Sequence, residues 1–258
     1  MRPIRYGKCY RYLKHLHTHS RLLEVGCGEG TGLWYAQQLG FADLTGVEVS
    51  EDRLNTARER LGATPSLALV GTDCRLPFAD NTFDIIVSAA VIEHAVDPAL
   101  FIREIARVAR PGASIVVSSD CWQWRILQVL GAYQSVQPVD RAMLTSSLIS
   151  IMRQCRLQVC HFDGFALPGQ EYRFVRMIWT RFAGPASRAW RQMLRMLNVP
   201  FNPARCFQDR NSEWGVFLQL ATQPWSQTGR IKRLCLSVCS DENVVFAVKP
   251  NESEHGTR

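Results

Sequence analysis

The sequence predicts an α/β protein built on a doubly wound parallel sheet. Across residues 22–120, apolar runs of strand length alternate with segments whose apolar residues recur at helical spacing. The run Phe83–Ser88 is apolar almost throughout, which is typical of a strand buried on both faces. A glycine-rich turn at residues 26–32 joins the first run to a helix. Ligands of such sheets bind at the carboxyl ends of the strands, so the turn marks a candidate site.

The elements follow one another regularly after the first strand, which begins at Leu22. The remaining core strands are predicted at Leu44–Glu48, Leu67–Val70, Phe83–Ser88 and Ser114–Ser119. Helices are predicted between these strands, and residues typical of helix caps and helix ends mark their limits. Gly40 stops the first, Ser50 caps the second, Gly62 ends it, and Asp97 caps the third.

The stretch L-L-E-V-G-C-G-E-G-T-G at residues 22–32 carries the ligand signal. Thr31 stands where the third glycine of a dinucleotide-binding loop would fall. Glu24 and Glu29 flank and interrupt the glycines, and carboxylates repel a pyrophosphate but attract a cation. Glu48 ends the next strand, where a ribose hydroxyl pair is held. The site therefore suits a positively charged nucleoside without phosphates, and S-adenosylmethionine fits that description.

With these residues the sequence resembles the class I S-adenosylmethionine-dependent methyltransferases. The resemblance covers roughly residues 22–120 and rests on E-V-G-C-G-E-G-T-G at 24–32, Glu48 and G-T-D-C-R-L-P-F at 71–78. The segments F-D-I-I-V-S at 83–88 and V-I-E-H at 91–94 resemble the branch that methylates small molecules, quinones, lipids and sugars. The family implies a Rossmann-like, seven-stranded sheet whose last strand is antiparallel.

The resemblance also implies the cofactor contacts. Glu24 would take the ammonium of the cofactor, Glu48 both ribose hydroxyls, and Asp73 the adenine amine. Each of these acids has a structural alternative, such as capping an amide or closing a turn. The full predicted set of cofactor-binding residues is Glu24, Gly26, Gly28, Glu48, Asp73, Cys74 and Ser88.

His94 is the candidate catalytic residue. Its place beyond the fourth strand puts it near the methyl group, where it would act as a general base for an acceptor hydroxyl. The alternative is a histidine that anchors its loop or packs against the cofactor. An acceptor of low pKa needs no base, because close in-line approach supplies much of the acceleration.

Helical insertions and a basic segment follow the core. A helix is predicted at Leu144–Met152, a strand at Leu157–Phe162, and an antiparallel last strand at Trp214–Leu220. The helical insertion Glu171–Arg210 holds eight arginines, no lysine and two acids, a formal charge of +6. We expect it to contact an anionic or lipid-linked acceptor near a membrane surface, or else to form surface helices with solvated arginines.

Residues 1–224 are predicted to form the methyltransferase domain, with its core at 21–120. Residues 225–258 are predicted to form a hairpin of 231–238 with 244–248, and a frayed tail.

Composition limits the class of protein and its compartment. The formal charge is +7, with 47% hydrophobic and 21% charged residues, as in soluble globular proteins. No apolar run approaches about 18 residues, and the basic N-terminus lacks a signal-peptide core. Nine cysteines without zinc spacing indicate reduced thiols in a cytoplasmic protein, with peripheral membrane contact an open alternative. No metal is expected, since no cysteine or carboxylate joins the alternating His15, His17 and His19.

The sequence therefore predicts methyl transfer from S-adenosylmethionine to a small-molecule, lipid or glycan acceptor, with oxygen as the accepting atom. Methylation of RNA or another nucleic acid comes second, because a basic charge alone supports only nonspecific attraction. A third hypothesis is a scaffold of the same fold without chemistry.

Overall fold

Seven strands form one mixed sheet. The computed structural model describes residues 7–10, 12–120, 143, 145–165 and 242–251. The strands are β1 (Leu22–Val25), β2 (Leu44–Glu48), β3 (Ser66–Leu69), β4 (Phe83–Ala89), β5 (Ala109–Asp120), β6 (Gln158–Phe165) and β7 (Glu242–Val248). Their order across the sheet is β3-β2-β1-β4-β5-β7-β6. The first five pair in parallel, whereas β7 is antiparallel to both β5 and β6, which confirms the predicted fold class.

Helices pack on the sheet between the strands. They are α1 (Gly7–Tyr10), α2 (Thr31–Gln38), α3 (Glu51–Leu61), α4 (Pro98–Val108) and α5 (Thr145–Gln154), with 3₁₀ turns at Leu13–His15 and Ile92–His94. The predicted caps are confirmed, because the Ser50 hydroxyl accepts the amide of Arg53 and Asp97 accepts those of Ala99 and Leu100. The helix ends are thus set by local residues. Among the described residues, no helix combines the length and apolar character that a membrane span needs.

The core lies on both faces of the sheet. Successive strand residues point to opposite faces, so each apolar strand contributes to two clusters. One cluster includes Leu23, Ile86, Ile115 and Val245, and the other includes Leu22, Ile85, Val116 and Val244. From β1 the chain first adds β2 and β3 on one side of the sheet and then β4 and β5 on the other, so the direction of strand addition reverses at β1. This reversal opens a crevice at the carboxyl end of β1, where the glycine turn lies.

The antiparallel part of the sheet corrects one prediction. β7 lies between β5 and β6, and Val245 pairs with Val117 on one side and Phe162 on the other. The predicted hairpin of 231–238 with 244–248 is wrong, because a strand has two edges and both edges of β7 are occupied. Residues 231–238, the predicted last strand Trp214–Leu220, the insertion Glu171–Arg210 and the predicted tail from 252 onwards lie outside the described residues.

Candidate functional site

The glycine turn between β1 and α2 has a backbone that other residues would strain. Gly26 and Gly28 have φ values of 76° and 53°. The Gly26 amide donates to the Val47 carbonyl at 2.8 Å, which ties the turn to the end of β2. A Cβ at Gly26 would overlap the side chain of Val91, whereas a Cβ at Gly28 would meet open space. The turn is therefore closed on one side by Val91 and open at Gly28.

A cavity of about 520 Å³ opens at this turn. Its walls come from the carboxyl ends of β1, β2 and β4 and from the segments that follow β3 and β4. Four helices also contribute, with Tyr10 from α1, Thr31 from α2, Arg53 from α3 and Phe101 from α4. The volume falls within the range of about 300–1,000 Å³ that small-molecule and cofactor sites occupy. The cavity is therefore large enough for a nucleoside cofactor.

Glu48 is held by backbone amides at the end of β2. Its Oε2 accepts the amide of Gly28 at 2.8 Å, and its Oε1 accepts those of Val49 at 2.9 Å and Ser50 at 3.1 Å. The side chain is buried and lines the cavity. A carboxylate offers about four acceptor positions, so these three bonds leave about one for a ligand. Glu48 thus fixes the glycine turn, a role that the sequence did not reveal.

Glu24 is a buried acid at the end of β1, and it also lines the cavity. The Tyr10 hydroxyl donates to its Oε1. Its Oε2 is buried and has no hydrogen-bond partner among the described residues. Burial, above all, raises the pKa of Glu24 to about 8, with the charge of Glu48 adding to the rise and the Tyr10 bond opposing it. A cation at Oε2 would satisfy this oxygen and stabilise the carboxylate.

The other predicted cofactor contacts divide into two groups. Cys74 lines the cavity, with a φ of 64°. Asp73 is exposed, and its Oδ1 accepts the amide of Arg75 at 3.3 Å, so its side chain closes a turn outside the cavity lining. Ser88 is fully buried in β4, one residue before the lining begins at Ala89, and its hydroxyl has no hydrogen-bond partner among the described residues. The adenine contact of Asp73 and the cofactor contact of Ser88 stay predictions.

His94 lies in the 3₁₀ turn after β4 and lines the cavity. Its amide donates to the Val91 carbonyl at 2.9 Å. Val91, Ala95 and Phe101 line the cavity beside it, so this end is apolar apart from the imidazole. A half-buried imidazole in an apolar wall suits a proton acceptor and a packing residue equally.

Three features of the site were not predicted from the sequence. Tyr10 bonds Glu24 from α1, and Val91 and Phe101 form the wall beside His94. Arg60 of α3 donates to the Glu29 carbonyl at 2.7 Å and to the Thr31 hydroxyl at 3.2 Å. Nη2 of the same guanidinium lies 3.6 Å from the Glu29 carboxylate. Glu29 therefore pairs with Arg60 in place of a ligand cation.

The histidines near the N-terminus do not form a metal site in the structure. His15, His17 and His19 are all exposed. In the part of the chain that the structure describes, no three His, Cys, Asp or Glu side chains are grouped so as to hold a metal ion.

Comparisons with known proteins find similar methyltransferases. Residues 23–117 match a protein-family model described as a methyltransferase domain. Ajmaline N-methyltransferase of Rauvolfia serpentina is 33% identical over 191 residues, 70% of this chain and 60% of that protein. An uncharacterized methyltransferase of Schizosaccharomyces pombe is 34% identical over 118 residues, 42% of each chain. The chain thus spans less than two thirds of these relatives.

Solved structures share the fold. An S-adenosylmethionine-dependent methyltransferase of Thermotoga maritima superimposes with a TM-score of 0.54 at 16% identity, covering 95% of this chain and 90% of that one. The methyltransferase that forms a complex with the Trm112 activator of Haloferax volcanii gives a TM-score of 0.60 at 15% identity, covering 96% and 91%.

The fold and the site define a class I S-adenosylmethionine-dependent methyltransferase domain. The residues fit the cofactor, because Glu24 lines the cavity with one carboxylate oxygen that has no hydrogen-bond partner among the described residues, and Glu48 lies at the end of the neighbouring strand. The family match therefore identifies residues 23–117 as an S-adenosylmethionine-dependent methyltransferase domain, with S-adenosylmethionine as the cofactor.

Proposed function

We propose that this protein transfers the methyl group of S-adenosylmethionine to a small-molecule acceptor that binds beside His94. The observation that carries the proposal is the continuity of one cavity, which runs from Glu24 and Glu48 to the apolar wall of Val91 and Phe101. A cofactor held at the first end and an acceptor at the second would meet within one cavity. Proximity and alignment of two reactants can supply about 7–11 kcal/mol of a barrier.

The residues of the chain have distinct tasks in this proposal. When bound, S-adenosylmethionine supplies an electrophilic methyl group on a sulfonium that leaves readily. Glu24 binds the ammonium, and Glu48 binds the ribose while it holds the glycine turn through the Gly28 amide. His94 accepts the proton of a hydroxyl acceptor, a task typically worth about 10²–10⁴-fold in rate. Val91 and Phe101 exclude water from the reacting atoms.

The accepting atom has two candidates. Oxygen is the sequence prediction, and His94 as a general base suits a hydroxyl acceptor. Residues 88–91, S-A-A-V, lack the Asn-Pro-Pro-aromatic signature of many enzymes that methylate base amines, which places nucleic acid second. Nitrogen is supported by the names of relatives, which include norajmaline and ajmaline N-methyltransferases and phosphoethanolamine N-methyltransferases. An amine acceptor that arrives already neutral needs no base, so the two candidates differ in how much they require His94.

A methyl-transfer assay separates these classes. The full chain is incubated with methyl-tritiated S-adenosylmethionine and, separately, with phenols, tertiary indole amines, phosphoethanolamine, lipid extract and RNA. We expect label in the phenol or amine samples and none in RNA. His94→Gln should lower turnover of a phenol at least tenfold and of an amine much less. Label that appears in RNA alone would favour the nucleic-acid hypothesis, and no transfer at all would favour the scaffold.

The role of the arginine-rich insertion is a separate proposal. Glu171–Arg210 would bind an anionic or lipid-linked acceptor at a membrane surface, because the arginine guanidinium binds phosphate and carboxylate groups through two parallel hydrogen bonds. Vesicles that contain anionic lipid should therefore sediment the protein at low salt and release it at high salt. Arg188→Glu with Arg191→Glu should abolish this binding. Equal sedimentation with neutral vesicles would contradict the proposal.

A further inference from the structure

The short helix α1 places one side chain over the glycine turn. α1 contacts α2, β4 and β5. Tyr10, its last residue, is 2% exposed and packs edge-on against Tyr35 of α2, with ring centroids 6.3 Å apart. The Tyr10 hydroxyl donates to Glu24 Oε1. The N-terminal segment is therefore connected directly to the buried acid of the cofactor site.

Gly32 makes room for this tyrosine. A Cβ at Gly32 would overlap the hydroxyl and the ring of Tyr10. Gly32 also has no positive φ, unlike Gly26, Gly28 and Gly30 in the same turn. The last glycine of the turn is thus explained by the approach of Tyr10, whereas the earlier ones are explained by backbone conformation.

The two oxygens of Glu24 face different surroundings. Oε1 accepts the Tyr10 hydroxyl, and Oε2 has no hydrogen-bond partner among the described residues, in a side chain that lines the cavity. Burial raises the pKa of Glu24 to about 8, so the carboxyl group is mostly protonated at neutral pH when no cation is near.

The titratable groups that face Glu24 come from several elements. They are Tyr10 from α1, Cys27 from the turn and Glu48 from β2. The backbone amide of Leu33 in α2 acts in the opposite direction to burial and lowers the pKa of Glu24. On the β4 side, Glu24 pairs with the apolar Val87. None of these neighbours supplies a positive charge, so a cationic ligand would be the group that stabilises the ionised form.

We propose that Tyr10 is a positioning residue for the cofactor: it holds the Glu24 carboxyl group, so that cofactor binding at Oε2 releases the Glu24 proton to solvent and fixes α1 on the glycine turn. The inference rests on the proposed role of Glu24 in binding the cofactor ammonium. A hydroxyl donates more strongly to a carboxylate than to a neutral acid, so the ion pair at Oε2 strengthens the Tyr10 bond at Oε1. By reciprocity, docking of α1 strengthens cofactor binding.

Calorimetry with S-adenosylhomocysteine tests the proton release. Titrations of the full chain at pH 6.5, in two buffers of different ionisation enthalpy, give the number of protons released. We expect close to one proton per ligand, because Glu24 is protonated before binding and ionised after it. The number should fall as the pH rises through about 8.

Tyr10→Phe tests the positioning role, because it removes the hydroxyl and keeps the ring. Loss of a bond to a charged group should weaken binding about tenfold or more at pH 6.5. The defect should shrink to about threefold or less by pH 9, because Glu24 then ionises without help. Tyr12→Phe is the matched control, since its ring stacks on Phe246 and lies outside the cavity lining, and it should bind as the unchanged protein does. Gly32→Ala, which displaces Tyr10, should reproduce the defect of Tyr10→Phe.

The outcomes separate this inference from the proposed function. Tight binding without proton release at pH 6.5 would overturn the inference and leave the cofactor site standing. A Tyr10→Phe defect of equal size at pH 6.5 and pH 9 would also overturn it, because a purely structural role is independent of Glu24 ionisation. Absence of any binding to the unchanged protein would overturn both.

Discussion

Replacement of Glu48 tests two roles of one side chain. Its carboxylate accepts three backbone amides, those of Gly28, Val49 and Ser50, and we propose that it also binds the cofactor ribose. In Glu48→Gln the amide oxygen can serve Val49 and Ser50, but the NH₂ group then faces the Gly28 N–H. One unsatisfied buried donor costs about 1–3 kcal/mol, and the free energy of unfolding should fall by that amount. Glu48→Ala removes the two oxygens that accept all three bonds, although water entering the cavity offsets part of the loss.

Two measurements read the two roles separately. Urea unfolding reports the free energy of unfolding, and we expect Glu48→Ala to lower it by about 2–4 kcal/mol. Calorimetric titration with S-adenosylhomocysteine reports ligand affinity, which we expect to weaken by about 30-fold or more, equivalent to 2 kcal/mol or more. The matched control is Glu51→Gln, three residues further on, because Glu51 is exposed and lies outside the cavity lining. It should change neither quantity.

Opposite results would refute the reasoning. If Glu48→Ala binds S-adenosylhomocysteine as tightly as the unchanged protein, Glu48 is not part of the cofactor site. If its free energy of unfolding is also unchanged, the three amide bonds do not hold the glycine turn.

Three further predictions concern the surroundings of the site. Arg107 of α4 donates to the carbonyls of Leu76 and Phe78 and to two acids, so Arg107→Ala should lower the free energy of unfolding by about 2–4 kcal/mol in urea titrations, and Arg107→Lys by less. Gly26→Ala should destabilise the protein and weaken S-adenosylhomocysteine binding, because the new Cβ overlaps Val91 and the φ of Gly26 is positive. Val91→Ala added to Gly26→Ala should restore only part of the lost stability, because it relieves the overlap but not the backbone strain. Full restoration would show that backbone strain is absent. The free protein should lose stability as the pH rises from about 4.5 to about 8, since the folded state keeps the Glu24 proton that the unfolded state releases; a Glu24→Gln variant with the same slope in thermal unfolding would exclude Glu24 as its source.

Local sequence signals predicted most of the core. The positions of β1, β2 and β4 follow from short apolar runs, and the helix caps at Ser50 and Asp97 follow from single residues. The glycine turn was recognisable because its backbone requirement is local, as the positive φ at Gly26 and Gly28 shows. These features depend on neighbours within a few residues, and a sequence displays such neighbours directly.

The remaining features depend on packing between distant segments. β7 pairs with β5 although more than a hundred residues separate them, and the sequence of Glu242–Val248 does not indicate which strand is its partner. Asp73 is an exception, because the amide that its side chain accepts belongs to Arg75, two residues further on. Tyr10 reaches Glu24 only because α1 folds back onto α2. The one sequence signal for that contact was Gly32, a glycine that no turn conformation requires.

A crystal structure of the full chain with S-adenosylhomocysteine tests the central claim most directly. We predict the ligand ammonium within hydrogen-bond distance of Glu24 Oε2, a ribose hydroxyl at Glu48, and the sulfur on the side of the cavity that His94 lines. Tyr10 should keep its bond to Glu24 Oε1. A ligand bound outside this cavity, or one whose amino group does not contact Glu24, would contradict the account.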